Sequence, residues 1–306
     1  MYNVGILTSL NDPLIPYFIK ETYKLNNINF YLIVSKEKEK TKDLKIFKDR
    51  TGDHFLKDNL DLFNVDTKLS TFLVSSHNSQ KFYKIIKDKN IEFLFNSGTP
   101  NKISIKTIKK VKGVINIHPG VLPLYRGCTC PEWTLFNNDP LGITAHFMNI
   151  SYDSGPIIKI EYLKFKKKDI KEYKDVRIKL FELIFKLART IFKKLNNTNT
   201  NIKIKIFKQE EYKAKYYKVI KNNYLSIVKK KIKDKKYKFN KINLIKWLYL
   251  KVTKINNNLL TLKVLNVRDV TMKYVNWFLD KDVVRFSDNQ FKKFTLAGQK
   301  RYVNKC

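Results

Sequence analysis

The segment Gly113-Val114-Ile115-Asn116-Ile117-His118-Pro119-Gly120 decides the fold of this chain. Its start is apolar apart from Asn116, which predicts a buried strand over residues 113–117. Pro119 then ends the strand, because proline has no N–H to give to a strand ladder. Asn116 and His118 are two residues apart, so both side chains project from the same side of an extended chain. The segment therefore places two polar side chains together where a buried strand ends.

Strands and helices alternate on the N-terminal side of this segment. Apolar runs predict strands over residues 4–7, 28–34, 71–75 and 91–95, and helical spacing predicts helices over residues 13–25, 80–87 and 103–111. This alternation predicts an α/β fold, with a Rossmann-like, mainly parallel sheet and helices on both faces. Ligands of such sheets bind beyond the carboxyl ends of the strands, so we expect the site in the loops after Phe95 and Ile117. The chain has no G-x-G-x-x-G or Walker pattern, and we therefore predict no dinucleotide.

Three further motifs follow this strand in order. They are Leu122-Pro123-Leu124-Tyr125-Arg126-Gly127, then Gly142-Ile143-Thr144-Ala145-His146-Phe147, then Asp153-Ser154-Gly155-Pro156-Ile157-Ile158. Together with the Asn-x-His pattern they resemble the formyltransferase family, which transfers a formyl group from 10-formyltetrahydrofolate to an amine. The resemblance covers residues 2–165 and continues more faintly to residue 240. It implies a catalytic trio made of Asn116, His118 and Asp153.

The chemistry of formyl transfer explains why these three residue types are needed. A neutral amine attacks the formyl carbon, an oxyanion forms, and the amine loses a proton. His118 is expected to take that proton, because an imidazole of ordinary pKa, about 6.5, is largely neutral at pH 7. Asn116 would donate an N–H to the oxyanion, a contact typically worth roughly 3 kcal/mol. Asp153 would orient His118 and stabilise its charged form, as an aspartate does in hydrolase triads.

The resemblance also implies where the two substrates bind. In the family, main-chain groups at strand ends hold the pterin of 10-formyltetrahydrofolate. The corresponding residues here are Phe95, Asn96, Ser97, Gly98 and Thr99, together with Pro119 and Leu122. Tyr125 and Arg126 are expected to bind the amine substrate. A second role stays open for Arg126, since its guanidinium could instead tie down its own loop.

Two cysteines and a further histidine lie close to these motifs. A zinc site at Cys128 and Cys130 would need two more ligands, and His118 could not be one of them and still act as a base. We therefore predict no metal, and we expect the cysteines to pack at the start of the next helix. His146 lies in the middle of a strand and is expected to support the site rather than to perform chemistry.

A shorter stretch indicates which amine is the substrate. The run Arg126-Gly127-Cys128-Thr129-Cys130-Pro131-Glu132-Trp133, together with the short C-terminal part, is similar to the nucleotide-sugar N-formyltransferases. This similarity implies that the substrate is a small molecule, a nucleotide-linked amino sugar. A methionyl-tRNA formyltransferase, or a formyltransferase for another small amine, stays open as an alternative. So does an inactive relative that binds RNA or membranes through a basic surface.

The large net positive charge of the chain is only weak evidence for nucleic-acid binding. The 62 lysines and arginines outnumber the 27 aspartates and glutamates, for a net charge of +35, but few of the basic residues are arginines. Lysine, asparagine and isoleucine share A/T-rich codons, so this excess is typical of an AT-rich genome. A dedicated nucleic-acid binder would also use arginine for bidentate contacts. We therefore expect no stable nucleic-acid partner.

The chain also lacks the patterns of secreted and membrane proteins. Its three cysteines make no credible disulfide framework, and its N-terminus has neither the basic start nor the long apolar core of a signal peptide. No apolar run approaches the roughly 18 residues that span a membrane. We therefore predict a cytoplasmic protein without membrane insertion.

Composition divides the chain into three predicted regions. A formyltransferase catalytic domain is expected over residues 1–195, ending with a long amphipathic helix over residues 169–195. A smaller mixed α/β extension is expected over residues 196–264, and its hairpin around residues 256–258 could support a homodimer. Residues 265–306 resemble the start of a GNAT-type acetyltransferase but include no acetyl-CoA loop. They are expected to be either a fusion remnant or a C-terminal cap.

Overall fold

The chain divides into two compact units, Met1–Asn240 and Lys241–Cys306. The computed structural model describes residues 2–10, 12–22, 25, 28–37, 41–52, 54–55, 69–164, 170–196, 206–237, 254–256, 261–263, 270–272, 275–276 and 295–305. The first unit contains every residue of the predicted active site.

Strands and helices alternate along the first unit. Its strands are β1 (Tyr2–Ser9), β2 (Ile28–Ser35), β3 (Ser70–Val74), β4 (Phe93–Asn96), β5 (Gly113–His118), β6 (Arg126–Gly127), β7 (Gly142–Phe147), β8 (Ile157–Tyr162) and β9 (Tyr216–Tyr217). Its α-helices are α1 (Ile15–Thr22), α2 (Thr41–Thr51), α3 (Gln80–Asp88), α4 (Ile105–Ile108), α5 (Cys130–Phe136), α6 (Tyr173–Asn196) and α7 (Asn222–Lys233).

Seven of these strands form one sheet in the order β3-β2-β1-β4-β5-β7-β8. The first five strands in this order are parallel to one another, whereas β7 runs antiparallel to both of its neighbours. The predicted Rossmann-like, mainly parallel sheet is therefore confirmed.

Helices cover both faces of the sheet, because its strands are apolar on both sides. On one face, Phe18 of α1 and Val176 of α6 pack in the same core cluster as Ile115 of β5. On the other face, Phe82 of α3 packs with Val114. Alternate residues of β5 therefore serve opposite faces, as the period of a strand requires.

The long helix α6 begins four residues later than predicted. The N–H groups of Lys171 and Glu172 both donate to Asp175 Oδ2 at 2.8 Å, which holds these two residues outside the helix. The predicted apolar stripe of α6 does face the core. Val176, Leu180, Leu187 and Ile191 are buried, and Leu183 and Ile184 are partly buried. Although α6 has 24 residues, neither it nor any other helix in the described part of the chain is apolar enough to cross a membrane.

Two other predicted helices are shorter in the structure. The helix predicted over residues 103–111 is the single turn α4, whose first turn is capped by the side chain of Ser104. The helix predicted over residues 13–25 is the eight-residue α1. Asp12 accepts a hydrogen bond from Leu14 N at 2.9 Å, which stabilises a turn just before α1 begins.

A buried cluster of charges joins α2, α5 and α6. Glu132 is fully buried, with Arg50 Nε 2.6 Å and Arg177 Nη1 3.8 Å from its carboxylate oxygens. The hydroxyl of Tyr173 also donates to Glu132. Burial, reinforced by the charge of Glu132, raises the pKa of Tyr173, so the phenol stays protonated and keeps donating.

Residues 206–217, which we call the clasp, run across the loops that carry the predicted site. Phe207 and Ile157 exchange two backbone hydrogen bonds of 2.8 Å, and β9 pairs in parallel with β6. Most of the strand predicted over residues 202–207 lies outside the described residues. The predicted boundary at residue 196 falls inside the first compact unit, so a separate extension from that point stays a prediction.

The second unit is described only in part. It contains the antiparallel strands β10 (Lys254–Asn256) and β11 (Thr261–Lys263) and the helix α8 (Leu296–Lys305). An antiparallel strand pair is therefore present near the predicted hairpin, and Asn256, predicted to lie in the turn, pairs instead with Thr261. The predicted first strand at residues 247–253 and the GNAT-like stretch at residues 277–287 lie outside the described residues.

Candidate active site

A row of polar side chains crosses the sheet near the carboxyl ends of β4 and β5. Asn96 pairs in register with Asn116, and Asn116 pairs with His146 of β7. Asn116 and His118 lie on the same side of β5, as their spacing predicts. The strand register therefore brings an amide, a second amide and an imidazole side by side.

Hydrogen bonds fix the orientation of the Asn116 amide. Its Oδ1 accepts from Asn96 Nδ2 at 3.1 Å, and its Nδ2 lies 3.2 Å from Nε2 of His146. The other ring nitrogen of His146 lies 2.9 Å from the Phe147 carbonyl, which can only accept, so Nδ1 carries the proton. Nε2 therefore accepts from Asn116. The second N–H of that amide has no partner among the described residues, and Asn116 lines a cavity.

His146 is held in its neutral form. Its pKa is lowered from 6.5 to about 4, first by burial and then by the neighbouring His118. Protonation would remove the lone pair that accepts from Asn116. The histidine expected to support the site is thus in direct contact with the predicted oxyanion donor.

Asp153 joins this cluster from the loop between β7 and β8. Its Oδ2 accepts from Gly127 N at 2.9 Å, and its Oδ1 lies 3.4 Å from Nδ1 of His118 and 3.8 Å from Nε2 of His146. Nε2 of His118 lies 2.7 Å from the Tyr125 carbonyl, so this nitrogen is the donor. Nδ1 is therefore the ring nitrogen that can exchange a proton, and it faces Asp153. The structure brings together all three residues of the predicted trio.

The loop after β5 is held against His118 by Gly120 and Thr144. A Cβ at Gly120 would lie 2.7 Å from both His118 Nε2 and Tyr125 O, so only glycine fits this close approach. The buried hydroxyl of Thr144 donates to Gly120 O at 2.7 Å and accepts from Leu122 N at 3.1 Å. Both contacts fix the shape of the loop.

Two adjoining cavities open at this edge of the sheet. The first, of about 220 Å³, is lined among others by Asn96, Thr99, Pro100, Asn116, His146 and Asp153. The second, of about 580 Å³, is lined among others by Lys102, Gly127, Cys128, Tyr152, Asp153 and Tyr216. Asp153 therefore lines both cavities, whereas His118 lies behind it and lines neither of these two.

The residues predicted to bind the formyl donor fall into three groups. Asn96 and Thr99 line the first cavity. Phe95 and Leu122 have side chains buried in the interior, so a ligand contact from them would have to use main-chain groups, as the resemblance implies. The remaining three, which lie in the same two loops, are Ser97, Gly98 and Pro119. Binding of the donor by these residues stays a prediction.

Asn96 also offers an unused acceptor at the first cavity. Its Oδ1 is buried and has no hydrogen-bond partner within the described part of the chain. A buried acceptor without a partner costs about 1–3 kcal/mol, so a donor supplied by a ligand would be favoured here. The N–H groups on the edge of a pterin ring fit this requirement.

The structure places Tyr125 and Arg126 in the interior. The hydroxyl of Tyr125 donates to Asp139, and burial raises the pKa of this phenol. Arg126 is fully buried, donates to Gln209, and forms paired bonds of 2.8 and 2.9 Å with Glu211. These contacts fit the second role considered for Arg126, that of tying down its loop. A substrate contact from either residue stays a prediction, and it would require these partners to be displaced.

The cysteines at the start of α5 differ from each other. Cys130 is buried and Cys128 is exposed, so the predicted packing role fits only Cys130. Burial raises the pKa of both thiols, which keeps them protonated. Among the residues that the structure describes, no three His, Cys, Asp or Glu side chains gather in a way that could hold a metal ion.

Gln209 of the clasp is a buried residue of the site that no motif indicates. Its Nε2 donates to the carbonyls of Asp153 and Gly155 at 2.8 and 2.7 Å. It lies 56 residues after Asp153 in a lysine-rich stretch, where a lone glutamine forms no recognisable pattern. Only the fold brings the two residues together.

A mainly parallel sheet with an amide, an imidazole and a carboxylate beyond the carboxyl ends of its strands is an arrangement found in α/β enzymes. A match to the formyl transferase family covers residues 26–185, just over half of the chain, and includes the Asn-x-His pair and Asp153. The chain belongs to the formyl transferase family.

Known proteins match this chain over part of their length. The GDP-perosamine N-formyltransferase of Brucella melitensis is 28% identical over 127 residues, which are 38% of this chain and 48% of that protein. The methionyl-tRNA formyltransferase of Nitratiruptor sp. is 29% identical over 159 residues, 52% of this chain and 49% of that protein. The chain thus spans about half the length of these two relatives. A sugar N-formyltransferase from Shewanella sp. has 17% identity and a TM-score of 0.42, covering 71% of this chain and 76% of that one.

Proposed function

We propose that this protein is an N-formyltransferase that moves a formyl group from 10-formyltetrahydrofolate to the amine of a nucleotide-linked amino sugar. The observation that carries the proposal is the meeting of Asn116, His118 and Asp153 beside two adjoining cavities. The similarity to a GDP-perosamine N-formyltransferase supports an amino sugar as the acceptor.

The first cavity is the proposed site of the formyl donor. When bound, 10-formyltetrahydrofolate supplies the activated formyl group. Asn96 and Thr99 line this cavity, and Asn96 Oδ1 is an acceptor without a partner among the described residues. Asn116 lines the same cavity, so a formyl group held there would lie near its unused N–H.

The second cavity is the proposed site of the amino sugar. Lys102 Nζ lies 4.9 Å from the centre of the Tyr152 ring, and an ammonium group attracts the phosphates of a nucleotide. The rings of Tyr152 and Tyr216 are 62% and 58% exposed, so both offer a surface on which a base can stack. Since Asp153 lines both cavities, an amine in the second can meet a formyl group in the first beside this carboxylate.

Asn116 stabilises the negative charge that develops on the formyl oxygen. It uses the N–H that His146 does not occupy. Asn96 and His146 hold the amide from both ends, so it need not turn during the reaction, and preorganised donors of this kind lower the barrier most.

The proton that the amine loses moves to Nδ1 of His118. Asp153 Oδ1 lies 3.4 Å from that nitrogen, so its carboxylate stabilises the positive charge that the ring gains. Nε2 of His118 keeps donating to Tyr125 O, which holds the ring in place. The imidazolium is then paired with Asp153. The bond between the formyl carbon and the folate nitrogen breaks, that nitrogen takes up the proton held by His118, and the products are a formamide and tetrahydrofolate.

Mass spectrometry tests this proposal directly. Purified protein is incubated with 10-formyltetrahydrofolate and a panel of nucleotide-linked amino sugars, with the His118→Ala variant as the blank. A sugar that gains the mass of one formyl group with the wild-type protein alone supports both the reaction and the acceptor class. If none of the sugars gains a formyl group, the proposal that an amino sugar is the acceptor is refuted.

Methionyl-tRNA is the second candidate acceptor. The match to a methionyl-tRNA formyltransferase favours it. A parallel tube therefore contains methionyl-tRNA. Formylation of the tRNA alone would identify methionyl-tRNA as the acceptor and leave the proposed mechanism unchanged. RNA binding with a steep salt dependence and no transfer would instead identify an inactive relative.

A further inference from the structure

Gln209 reaches the active-site loop from a distant part of the chain. Its side chain is buried, and its Nε2 donates to the carbonyls of Asp153 and Gly155 at 2.8 and 2.7 Å. Its Oε1 accepts from Nε and Nη2 of Arg126 at 3.1 and 2.7 Å. Both N–H groups and both lone pairs of the amide are therefore in use, which leaves it a single orientation.

These bonds restrain Asp153 at two places, its backbone and its carboxylate. The bonds from Gln209 hold the backbone of Asp153, which has a φ of +53° and depends on outside contacts to keep this less common conformation. The carboxylate is restrained indirectly. Gln209 holds Arg126, and the residue after Arg126, Gly127, donates its N–H to Asp153 Oδ2 at 2.9 Å. With its backbone and one carboxylate oxygen held, Asp153 presents the other oxygen to His118 at 3.4 Å.

Gln209 is itself held on both sides within the clasp. Two residues earlier, Phe207 exchanges a pair of backbone hydrogen bonds with Ile157. Two residues later, Glu211 forms paired bonds with Arg126, and Tyr216 accepts from the same guanidinium at 2.8 Å. Gln209 is therefore held in place on both sides and can restrain the loop of Asp153 through its two hydrogen bonds.

We propose that Gln209 is a positioning residue that fixes the carboxylate of Asp153 against His118. The proposal rests on the proposed function of that pair. Gln209 does not line either cavity described above, and it acts through the main chain of Asp153 and the N–H of Gly127. Its loss lets the carboxylate shift, and a displacement of about 1 Å in a catalytic site costs roughly 100-fold in rate.

Gln209 has two sets of bonds, from its N–H groups to the loop of Asp153 and from its oxygen to Arg126, and two substitutions of Gln209 test them. Gln209→Glu keeps the size of the side chain and an oxygen for Arg126, but it removes both N–H donors to the loop of Asp153. Gln209→Met removes both sets of bonds and adds no charge, and it serves as the second variant if the carboxylate prevents folding. Gln80→Glu makes the same chemical change at an exposed position at the start of α3 and is the matched control. Glu211→Gln loosens Arg126 without touching Asp153.

Turnover is measured first, with the thermal midpoint as the check on folding. We expect either folded Gln209 variant to lose kcat by roughly 10- to 100-fold, because the reacting groups are misplaced. The KM for the formyl donor should change by less than about twofold, because the donor residues are untouched. Gln80→Glu should keep kcat within about twofold, as surface substitutions do. A folded Gln209 variant with wild-type kcat would overturn the proposal.

The second readout does not depend on turnover. Labelled histidine gives four ring signals, since the chain has four histidines, and His118→Ala assigns the one of interest. The His118 signal of Gln209→Glu should move toward its position in Asp153→Asn. Glu211→Gln should move it less, because it loosens only the link through Arg126 and Gly127 and keeps both bonds from Gln209 to the Asp153 loop. Gln80→Glu should leave the signal at its wild-type position. A His118 signal unchanged in both Gln209 variants would refute the positioning role. If the wild-type protein transfers no formyl group, the proposed function fails and this signal alone decides the role of Gln209.

Discussion

The hydrogen bonds that Asn116 and His118 already make leave one atom of each side chain free for the proposed reaction. Asn116 has one N–H bonded to His146 and its oxygen bonded to Asn96, so one N–H is left for a developing charge. His118 has Nε2 bonded to Tyr125 O, so Nδ1 is left for a proton. Each committed bond therefore determines which atom of its residue can take part in chemistry.

Replacement of His118 should abolish most of the activity. We expect His118→Ala to lower turnover about a thousandfold, because general base catalysis contributes on that order. Circular dichroism should show an intact fold. His54→Ala, which removes an exposed histidine, is the control and should stay near wild-type. Near-normal turnover in His118→Ala would refute the mechanism.

The buried His146 should make stability depend on pH. Its folded pKa of about 4 lies below the unfolded value of 6.5, so between these values the unfolded state binds more protons. Stability is therefore full above pH 6.5 and falls as the pH drops toward 4, by roughly 3 kcal/mol at about 1.36 kcal/mol per pKa unit.

Urea unfolding near neutral pH and at about pH 5 measures this dependence. His146→Asn removes the titrating group, so its stability should fall less between the two pH values than that of the wild-type protein. An identical fall in both proteins would contradict the assignment to His146.

The sequence could predict that Asn116, His118 and Asp153 lie near one another, because a strand period and a family resemblance point to the same edge of the sheet. Their catalytic roles stay predictions. The interior positions of Tyr125 and Arg126 could not be predicted, because their partners Asp139, Gln209 and Glu211 are set by the fold and not by local spacing.

At the scale of elements, β7 shapes the loop after β5 through one hydroxyl. Thr144→Val keeps the shape of the side chain and removes the bonds to Gly120 O and Leu122 N. We expect a loss of about 1–3 kcal/mol in the free energy of unfolding, because both loop groups are left without a partner. Thr190→Val on α6, where the hydroxyl bonds to Lys186 O of its own helix, is the matched control. Equal effects of the two substitutions would refute the role of Thr144.

The buried carboxylate of Glu132 should be essential to the packing of three helices. Glu132→Gln leaves the guanidiniums of Arg50 and Arg177 buried without a counter-charge. Removing one partner of a buried ion cluster typically costs about 3–5 kcal/mol, so the thermal midpoint should fall clearly. Glu172→Gln, which affects an exposed pair with Lys174, should change it little. A small effect of Glu132→Gln would mean that the cluster is not a structural link.

The elements themselves were predicted more reliably than their ends. Apolar runs identify the strands of the sheet because a strand buried on both faces has little freedom in composition. Helix ends depend on single side chains, such as Asp175 in the first turn of α6 and Ser104 just before α4, whose hydrogen bonds a periodicity does not reveal. Asn256 was predicted to lie in a turn and lies in β10 for a similar reason, because strand pairing and not asparagine content decides how far a strand extends.

At the scale of the whole molecule, the residues of the proposed active site and the clasp all lie in the first compact unit. We expect a chain that ends at Lys263 to keep turnover within about twofold, because no residue of the site is removed. Steady-state kinetics of the truncated and full-length proteins measure this. A truncated protein that is folded but inactive would show that residues 264–306 contribute to the reaction.

The clasp also sets an order of events during translation. Every motif of the family has been synthesised by Ile158, yet Asp153 gains its bonds from Gln209 only after the clasp has left the ribosome. Domains fold from the N-terminus as they emerge, so the sheet can assemble while these bonds are still missing. A nascent chain therefore carries Asn116, His118 and Asp153 before the bonds that fix the Asp153 loop can form. From the distance along the chain between Asp153 and Gln209, we expect the proposed activity to appear only after residue 209 has been synthesised and has folded onto this loop.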